Sequence, residues 1–292
     1  MKLGVSSYSL AQAIKSGDLT ILGAIDWIVE HGGEHIEIVP IGFNLTEDRL
    51  LAGHIRMKAA SVGIDVSNYA IGANFLKDNS QEFRAEIELV KQHVDIAAEL
   101  GVLLMRHDVA GKPPTADISL HSYEADLPRL VEACQEIAEY AQQYNITTSV
   151  ENHGFYIQSS ERVYRLVKEV NRSNFRTTLD VGNFLCADED PLLAVQRNLE
   201  IASIVHLKDF YRRPPTAELG EGWFKSAGGY HLRGSILGHG DVNLTEIMSV
   251  VRSAGYDGYL SLEFEGLEDC RQGTRMGLEQ ARRLWAKAGS ES

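Results

Sequence analysis

The apolar positions along the chain alternate between short and long segments. Eight short runs are rich in aliphatic and β-branched residues, and they recur roughly every 30–40 residues with a longer polar-apolar stretch between them. The runs are Leu3–Ser7, His35–Val39, Ile64–Tyr69, Val102–His107, Thr147–Glu151, Phe175–Asp180, Ser203–Leu207 and Tyr259–Glu263. This pattern predicts strands that alternate with helices and therefore a parallel sheet.

The stretches between the runs have the period of amphipathic helices. The first of them carries an apolar stripe at Leu19, Leu22, Ile25, Ile28 and Val29. The same period predicts helices over Gln81–Leu100, Leu127–Tyr144 and Asp269–Lys287. Residues that favour a left-handed helix cap follow the predicted helices at Gly32, Gly63, Gly101, Asn145 and Gly255.

Eight strands with helices between them predict an α/β fold, a (β/α)8 TIM barrel, and the 292 residues fit one such domain over 1–292. The alternative is a doubly wound open sheet, but no glycine-rich phosphate turn follows the first strand. One connection is long, because about 30 residues at 210–240 separate the seventh strand from its helix. We expect this loop to be a lid or a substrate-binding loop, and a surface insertion is the alternative.

Charge and cysteine content disfavour several classes of function. The net charge of −13 argues against a nucleic-acid partner. The chain has no run of about 18 apolar residues, which predicts no membrane span, and its first residues lack the pattern of a signal peptide. The three cysteines, Cys134, Cys186 and Cys270, have no paired spacing and indicate a reducing, cytoplasmic location.

The last four strands each end in a side chain that can bind a metal. These residues are Glu151, Asp180, His206 and Glu263. A parallel barrel brings such strand ends to one mouth, where three carboxylates would repel one another without a cation. The pattern therefore predicts one divalent metal ion. An oxygen-rich ligand set suits Mn²⁺, with Mg²⁺, Co²⁺ and Zn²⁺ as alternatives.

Several short segments carry a resemblance to a known family. They are Val150-Glu151-Asn152-His153, Leu179-Asp180-Val181-Gly182-Asn183, His206-Leu207-Lys208-Asp209, Gly238-His239-Gly240-Asp241-Val242 and Gly255-Tyr256-Asp257-Gly258-Tyr259. In order and spacing they resemble the xylose isomerase-like barrels of the sugar phosphate isomerase and epimerase group, over nearly the whole chain. The resemblance implies the same four metal ligands, a small carbohydrate substrate and a homo-oligomer, a dimer or a tetramer.

The resemblance also implies a reaction. The metal would bind a carbonyl oxygen and the neighbouring hydroxyl of a sugar or sugar phosphate, which acidifies the C–H between them. Of the two catalytic carboxylates, Glu151 and Glu263, one would remove this proton and the other would return it through an enediolate. Return to the neighbouring carbon gives isomerisation, and return to the opposite face gives epimerisation. Both outcomes remain open.

Two residues near the predicted ligands are candidates for substrate binding, and the resemblance adds a third. His153 lies two residues after Glu151 and could bind a substrate hydroxyl or support a ligand. Lys208 could polarise a carbonyl, or pair with Asp209 at the rim. Arg212 occupies a spacing at which some related epimerases contact substrate. Together with Arg213, Lys225 and Arg233 it could bind a phosphate or carboxylate, or belong to an ordinary mixed-charge loop.

Polar residues at the ends of earlier strands are further candidates. Glu37, Asn68 and His107 stand near the ends of strands two, three and four, and we expect them to line the pocket. A structural hydrogen bond is the alternative for each. Glu265 lies two residues after Glu263 and competes with it as a ligand, but the register of the resemblance favours Glu263.

Metal-dependent sugar isomerisation or epimerisation is the leading function. A lyase, dehydratase or deglycosidase on the same site is the alternative, with His153 or Lys208 as the added acid. A non-catalytic sugar-binding barrel is a third hypothesis. An endonuclease IV-like nuclease is disfavoured, because Asn183 stands where those enzymes have a metal-binding histidine.

Overall fold

A computed structural model describes residues 1–112 and 116–290 of the chain. Its strands are β1 (Lys2–Ser6), β2 (His35–Ile38), β3 (Asp65–Ile71), β4 (Leu104–His107), β5 (Thr147–Glu151), β6 (Phe175–Asp180), β7 (Ala202–Leu207), β8 (Phe210–Arg213), β9 (Phe224–Lys225), β10 (His231–Gly234) and β11 (Tyr259–Leu262). Its α-helices are α1 (Ala11–Ser16), α2 (Ile21–Glu30), α3 (Arg49–Val62), α4 (Ser80–Leu100), α5 (Leu120–Gln142), α6 (Ser160–Val170), α7 (Pro191–Asn198), α8 (Leu244–Ser253) and α9 (Cys270–Ser290).

Eight strands form a closed parallel barrel in the order β1-β11-β7-β6-β5-β4-β3-β2. This confirms the predicted (β/α)8 fold, and the bounds of β5 and β6 agree with the prediction at every residue. The register pairs Asp180 with His206 across β6 and β7, and His206 with Ser261 across β7 and β11. Side chains at the carboxyl ends of these strands are therefore brought to one level of the barrel mouth.

The helix boundaries follow from local chemistry. Gly63 ends α3 with φ 78°, and its N–H donates to the carbonyls of Ala59 and Ala60, as expected of a left-handed cap. The predicted start of α5 at Leu127 is wrong, because the helix begins at Leu120. Ser119 caps that earlier start by accepting a hydrogen bond from the N–H of Ser122.

The long connection at 210–240 has secondary structure of its own. It contains an antiparallel sheet in the order β8-β10-β9, which corrects the expectation of a single long loop. This sheet is attached to the barrel rim at Asp188, whose carboxylate accepts hydrogen bonds from the Ser226 hydroxyl, at 2.7 Å, and from the N–H of Gly228. A half-buried side-chain anchor of this kind fixes the position of the sheet beside the mouth.

The apolar core lies between the barrel strands and the surrounding helices, as the amphipathic pattern predicted. The three cysteines are buried and free. Of the helices in the described part of the chain, none is both long enough and apolar enough to cross a membrane.

Candidate metal centre and active site

Four side chains meet at the carboxyl ends of the barrel strands. Glu151 ends β5, Asp180 ends β6, His206 lies in β7, and Glu263 directly follows β11. Each offers one ligand atom, and these atoms lie within 4.8 Å of one another. All four residues are buried. The structure therefore brings together the four residues that the strand ends predicted, in an arrangement that could hold a metal ion.

The imidazole of His206 provides a test of whether a cation fits. Its buried Nδ1 has no hydrogen-bond partner in the described structure. Oxygens of Glu151 and Glu263 lie 3.8 Å from this nitrogen, and an oxygen of Asp180 lies 4.0 Å from it. Two ligands that are each about 2.1 Å from one cation are at most about 4.2 Å apart. The three distances from Nδ1 lie within this limit and suit one shared divalent cation, and the widest spacing in the cluster, up to 4.8 Å, would have to shrink slightly around the ion.

The carboxyl group of Asp180 shows the same need for a positive partner. Burial, together with the charges of Glu151 and Glu263, raises the pKa of Asp180 to about 6, although Lys208 opposes this. Its Oδ1 accepts hydrogen bonds of 2.8 Å from the N–H groups of Gly182 and Asn183. Its Oδ2 has no well-oriented hydrogen bond within the described residues and lies 3.2 Å from the ammonium group of Lys208, beside the other ligand atoms, where a metal ion would also bind it.

Glu37 and Asn68 support His206. The Nε2 of His206 donates to Glu37 Oε2 over 2.9 Å, and the amide of Asn68 donates to the same oxygen over 3.2 Å. Burial alone would raise the pKa of Glu37, but the charge and hydrogen bond of His206 lower it. In the neutral imidazole that a metal ligand must be, this bond keeps the proton on Nε2, so that Nδ1 can present its lone pair to the cluster. Neither Glu37 nor Asn68 lines the cavity, so this geometry favours a positioning role over the predicted substrate contact.

Arg106 is a site residue that the sequence reasoning missed. Its guanidinium lies 2.8 Å from Glu151 Oε2 and 2.8 Å from Asp108 Oδ1. Burial would raise the pKa of Glu151, but Arg106 and His206 hold it well below its usual range. The signal was present, because a charged residue near the end of a buried strand is costly unless it is paired.

His107, which the sequence predicted as a pocket residue, lies in the same strand as Arg106 but points away from the cavity. Successive side chains of a strand lie on opposite faces, so Arg106 faces the cavity while His107 packs edge-on against Phe75. The Nδ1 of His107 donates to the carbonyl of Asp108 over 2.9 Å, and burial lowers its pKa to about 4. These contacts indicate a neutral structural histidine, and they do not favour the predicted contact with substrate.

Lys208 lies inside the carboxylate cluster. Its Nζ is 2.6 Å from Glu263 and 3.2 Å from both Asp180 and Glu265. Burial would lower the pKa of Lys208, but these three carboxylates raise it well above its usual range. The alternative of an ion pair with Asp209 is therefore wrong. The side chain is a buried ammonium group beside the metal-binding residues.

Asp209 has a structural role, because it connects the His206-Leu207-Lys208-Asp209 segment to the Gly238-His239-Gly240-Asp241-Val242 segment. Its carboxylate accepts hydrogen bonds of 2.8–3.1 Å from the N–H groups of Phe210, Gly238, Gly240 and Val242. A Cβ at Gly240 would lie 2.2 Å from Asp209 Oδ1, so the close approach requires glycine. Asp209 thus ties the end of the 210–240 segment to the end of β7.

The remaining two candidates lie in different surroundings. His153 lines the cavity, with Nδ1 3.4 Å from Asp108 and a side chain that is 49% exposed. Arg212 lies 3.7 Å above the ring of Tyr230 and 3.7 Å from Asp188. It is not among the described residues that line the cavity, so its position does not favour the predicted contact with substrate.

The candidate metal centre opens into a cavity of about 420 Å³. Its apolar lining residues are Val39, Pro40, Ile41, Ala70 and Ile71. Its polar and charged lining residues are Tyr8, His93, Arg106, Asp108, Glu151, His153, His206, Lys208, Glu263 and Glu265. The cavity has room for a small polar molecule beside the metal-binding residues.

Comparison with known proteins identifies the family of the chain. A family model described as xylose isomerase-like TIM barrel matches residues 25–287. The chain belongs to that family. The match extends over all four cluster residues and confirms the resemblance drawn from the sequence motifs.

Individual relatives are more distant. An inosose dehydratase of Halalkalibacterium halodurans is 26% identical over 141 residues, 47% of this chain and 45% of that protein. The chain thus spans about half the length of the curated relatives that it matches. A structure of L-ribulose 3-epimerase superposes with TM-score 0.76 at 14% identity, covering 99% of this chain and 96% of that one. The IOLI protein with a bound zinc atom gives TM-score 0.75 at 17% identity, covering 100% and 99%. At these identities the structural matches show the fold.

Proposed function

We propose that this protein is a divalent-metal-dependent enzyme that moves a proton on the carbon next to the carbonyl of a sugar or sugar phosphate, giving an isomer or epimer. The observation that carries the proposal is the buried cluster of three carboxylates and one imidazole, open to a cavity. The oxygen-rich ligand set favours Mn²⁺ as the ion. When bound, the cation would polarise the carbonyl and thereby acidify the adjacent C–H.

The two proposed catalytic carboxylates have different neighbours. Glu151 is held ionised by Arg106, so it can accept a proton from the substrate carbon. Glu263 lies 2.6 Å from the ammonium group of Lys208, so a proton can pass between this pair and the substrate. The two carboxylates come from β5 and from the end of β11, which are separated in the barrel by β6 and β7. This separation supports removal of a proton by one residue and its return by the other.

A dehydratase is the second candidate, and the position of Lys208 favours it. Removal of the same proton by Glu151, followed by departure of a hydroxyl on the next carbon, forms a carbon–carbon double bond. The hydroxyl needs a proton to leave as water, and the ammonium of Lys208, which lines the cavity beside Glu263, is in position to supply it. The inosose dehydratase relative is a protein whose name describes loss of water.

Deuterium exchange tests the proposal. Metal content is first measured by mass spectrometry of the purified protein, and wild type is then incubated with a panel of ketoses in deuterated water containing Mn²⁺. Glu151→Gln is the test variant, and Glu161→Gln, an exposed carboxylate on α6, is the matched control. We expect deuterium next to the carbonyl with wild type and the control, and a loss of at least about 100-fold with Glu151→Gln.

Product mass separates the two candidates. An isomerase or epimerase yields a product of the substrate's mass plus the incorporated deuterium, whereas a dehydratase yields a product lighter by one water. Exchange that is equally fast in Glu151→Gln would contradict the assignment of Glu151. Failure of the protein to bind any divalent metal after reconstitution would contradict the four-ligand centre.

A further inference from the structure

Both permanently cationic side chains that line the cavity are already neutralised by carboxylates. Arg106 pairs with Glu151 and Asp108, and Lys208 is surrounded by Glu263, Glu265 and the more deeply buried Asp180. A divalent cation in the cluster would add two positive charges to these two. Five carboxylates would still face these four positive charges, and His153, which also lines the cavity, lies 3.4 Å from Asp108. Among the described lining residues, no lysine or arginine is therefore left unpaired for an anionic substrate.

The usual place for a phosphate in a barrel of this type is also occupied. Phosphate commonly binds to backbone N–H groups in the loops after the seventh and eighth barrel strands. After β7, the N–H groups of Gly238, Gly240 and Val242 donate to Asp209. After β11, Asp269 accepts the hydrogen bond from the N–H of Gln272 in the first turn of α9. Carboxylates of the protein therefore take the positions where a phosphate would be held.

The arginines of the 210–240 segment do not compensate for this. Arg213 pairs with Asp241 over 2.9 Å, and the guanidinium of Arg233 lies 5.0 Å and 4.9 Å from the ring centroids of Tyr211 and Trp223. As described above, Arg212 is held by an aromatic ring and a carboxylate. None of these three lines the cavity in the described structure. The anion site that the sequence allowed here does not form at the candidate metal centre.

We propose that the substrate is an uncharged polyhydroxy ketone or aldehyde, and that the carboxylates at the mouth exclude its phosphate esters and sugar acids. This inference rests on the proposed function, because it concerns the substrate of the same centre. Glu265 is the specificity-determining residue. It lies outside the four-ligand cluster, lines the cavity with a partly exposed side chain, and adds a third carboxylate around Lys208. Like charges brought together in a site of low solvent exposure disfavour binding strongly.

Binding measurements test this without requiring turnover. Calorimetry with the Mn²⁺-loaded full chain compares D-fructose with D-fructose 6-phosphate and D-ribulose with D-ribulose 5-phosphate, each titrated also into Mn²⁺ alone. We expect at least one neutral sugar to bind, and we expect the affinity for its phosphate ester to be lower by at least about 100-fold. In Glu265→Gln the difference should shrink by about tenfold, whereas Glu161→Gln should leave it unchanged.

The possible outcomes distinguish the selection of uncharged substrates from the proposed proton transfer. Esters that bind as tightly as the neutral sugars, or binding of neither class, would overturn the inference. A reduced difference in Glu161→Gln as large as that in Glu265→Gln would show an effect of net charge and remove the role given to Glu265. A neutral sugar that binds selectively but exchanges no deuterium would leave charge selection standing and contradict the proposed proton transfer.

Discussion

Replacement of Glu37 by glutamine tests how the metal-binding histidine is positioned. The change keeps the shape of a side chain that is fully buried, and it removes the negative charge that accepts the hydrogen bond from His206 Nε2 at 2.9 Å. An amide can present either its oxygen or its NH₂ group to the imidazole, so the tautomer with a free Nδ1 is no longer enforced. The basicity of the ligand nitrogen falls as well.

The expected effect follows from this contact. Loss of the carboxylate partner of a metal-binding histidine typically weakens metal affinity by about 10- to 100-fold. That corresponds to about 1.4 to 2.7 kcal/mol of binding free energy. Asn68 also donates to Glu37 Oε2, so a glutamine oxygen can retain one of the two bonds. We therefore expect a change near the middle of this range, about 30-fold.

Competition between the protein and a fluorescent chelator for Mn²⁺ measures the affinity of wild type, Glu37→Gln and the exposed control Glu161→Gln. Thermal unfolding of the metal-free proteins checks that the variant is folded. An affinity within twofold of wild type in a folded Glu37→Gln protein would refute the reasoning, because His206 would then bind the metal without its oriented hydrogen bond. The same loss in the control would assign the effect to net charge.

Three further predictions follow from the site. Arg106→Met leaves the buried Glu151 and the half-buried Asp108 without this partner and should lower the free energy of unfolding by about 3–5 kcal/mol in urea titrations. A loss below about 1 kcal/mol would contradict the importance of the Arg106–Glu151 pair. Asp209→Asn loses about two of its four bonds to backbone N–H groups, so we expect a cost of about 3 kcal/mol, and an unchanged unfolding midpoint would argue against this anchor. Burial would lower the pKa of His206, but the charges of Glu37 and Glu263 raise it well above its usual range, so in the metal-free protein this residue is protonated at neutral pH. Metal binding must release that proton, so the affinity for the metal should rise by up to about tenfold per pH unit until the pH reaches the pKa of His206. Calorimetry in buffers of different ionisation enthalpy counts the released protons, and a metal affinity that does not change with pH would contradict this prediction.

The same histidine makes the stability of the metal-free protein depend on pH. Because the folded-state pKa of His206 is raised above the unfolded value of about 6.5, its stabilising contribution is fully present below that pH and is lost as the pH rises through the folded pKa. The stabilisation that Mn²⁺ gives to the fold should therefore grow with pH. Thermal unfolding with and without Mn²⁺ between pH 6 and pH 8 measures this trend, and a constant difference would count against it.

The sequence could predict the barrel and the four-residue cluster for a simple reason. Strand and helix periods repeat locally, and a parallel barrel sends every strand's carboxyl end to the same mouth. Glu151, Asp180 and His206 could therefore be grouped without knowing a single contact. The choice of Glu263 over Glu265 rested on register, and in the structure Glu263 belongs to the cluster while Glu265 pairs with Lys208.

The roles of other site residues depended on the direction in which each side chain points and on the residues that it contacts. The sequence marked Arg106 as a charge that needs a partner, but it did not show that Arg106 faces the cavity while His107 faces the core. Glu37 had the position of a pocket residue, yet its partner is His206, far away in the chain. The three carboxylate partners of Lys208 come from two distant segments, the end of β6 and the residues after β11, so the neighbouring Asp209 in the sequence was a poor guide.

The amino-acid sequence by itself determined the order of strands and helices and the presence of a carboxylate–imidazole set at the barrel mouth, because both depend on short-range periodicity. Only the tertiary structure decided which charges are paired, since a salt bridge depends on the distance between atoms and not on separation along the chain. The folding of 210–240 into β8, β9 and β10 was likewise decided by contacts with the barrel rim, through Asp188 and Asp209. Among the described residues that line the cavity, those pairings leave no lysine or arginine unpaired, and this supports the class of substrate that we propose.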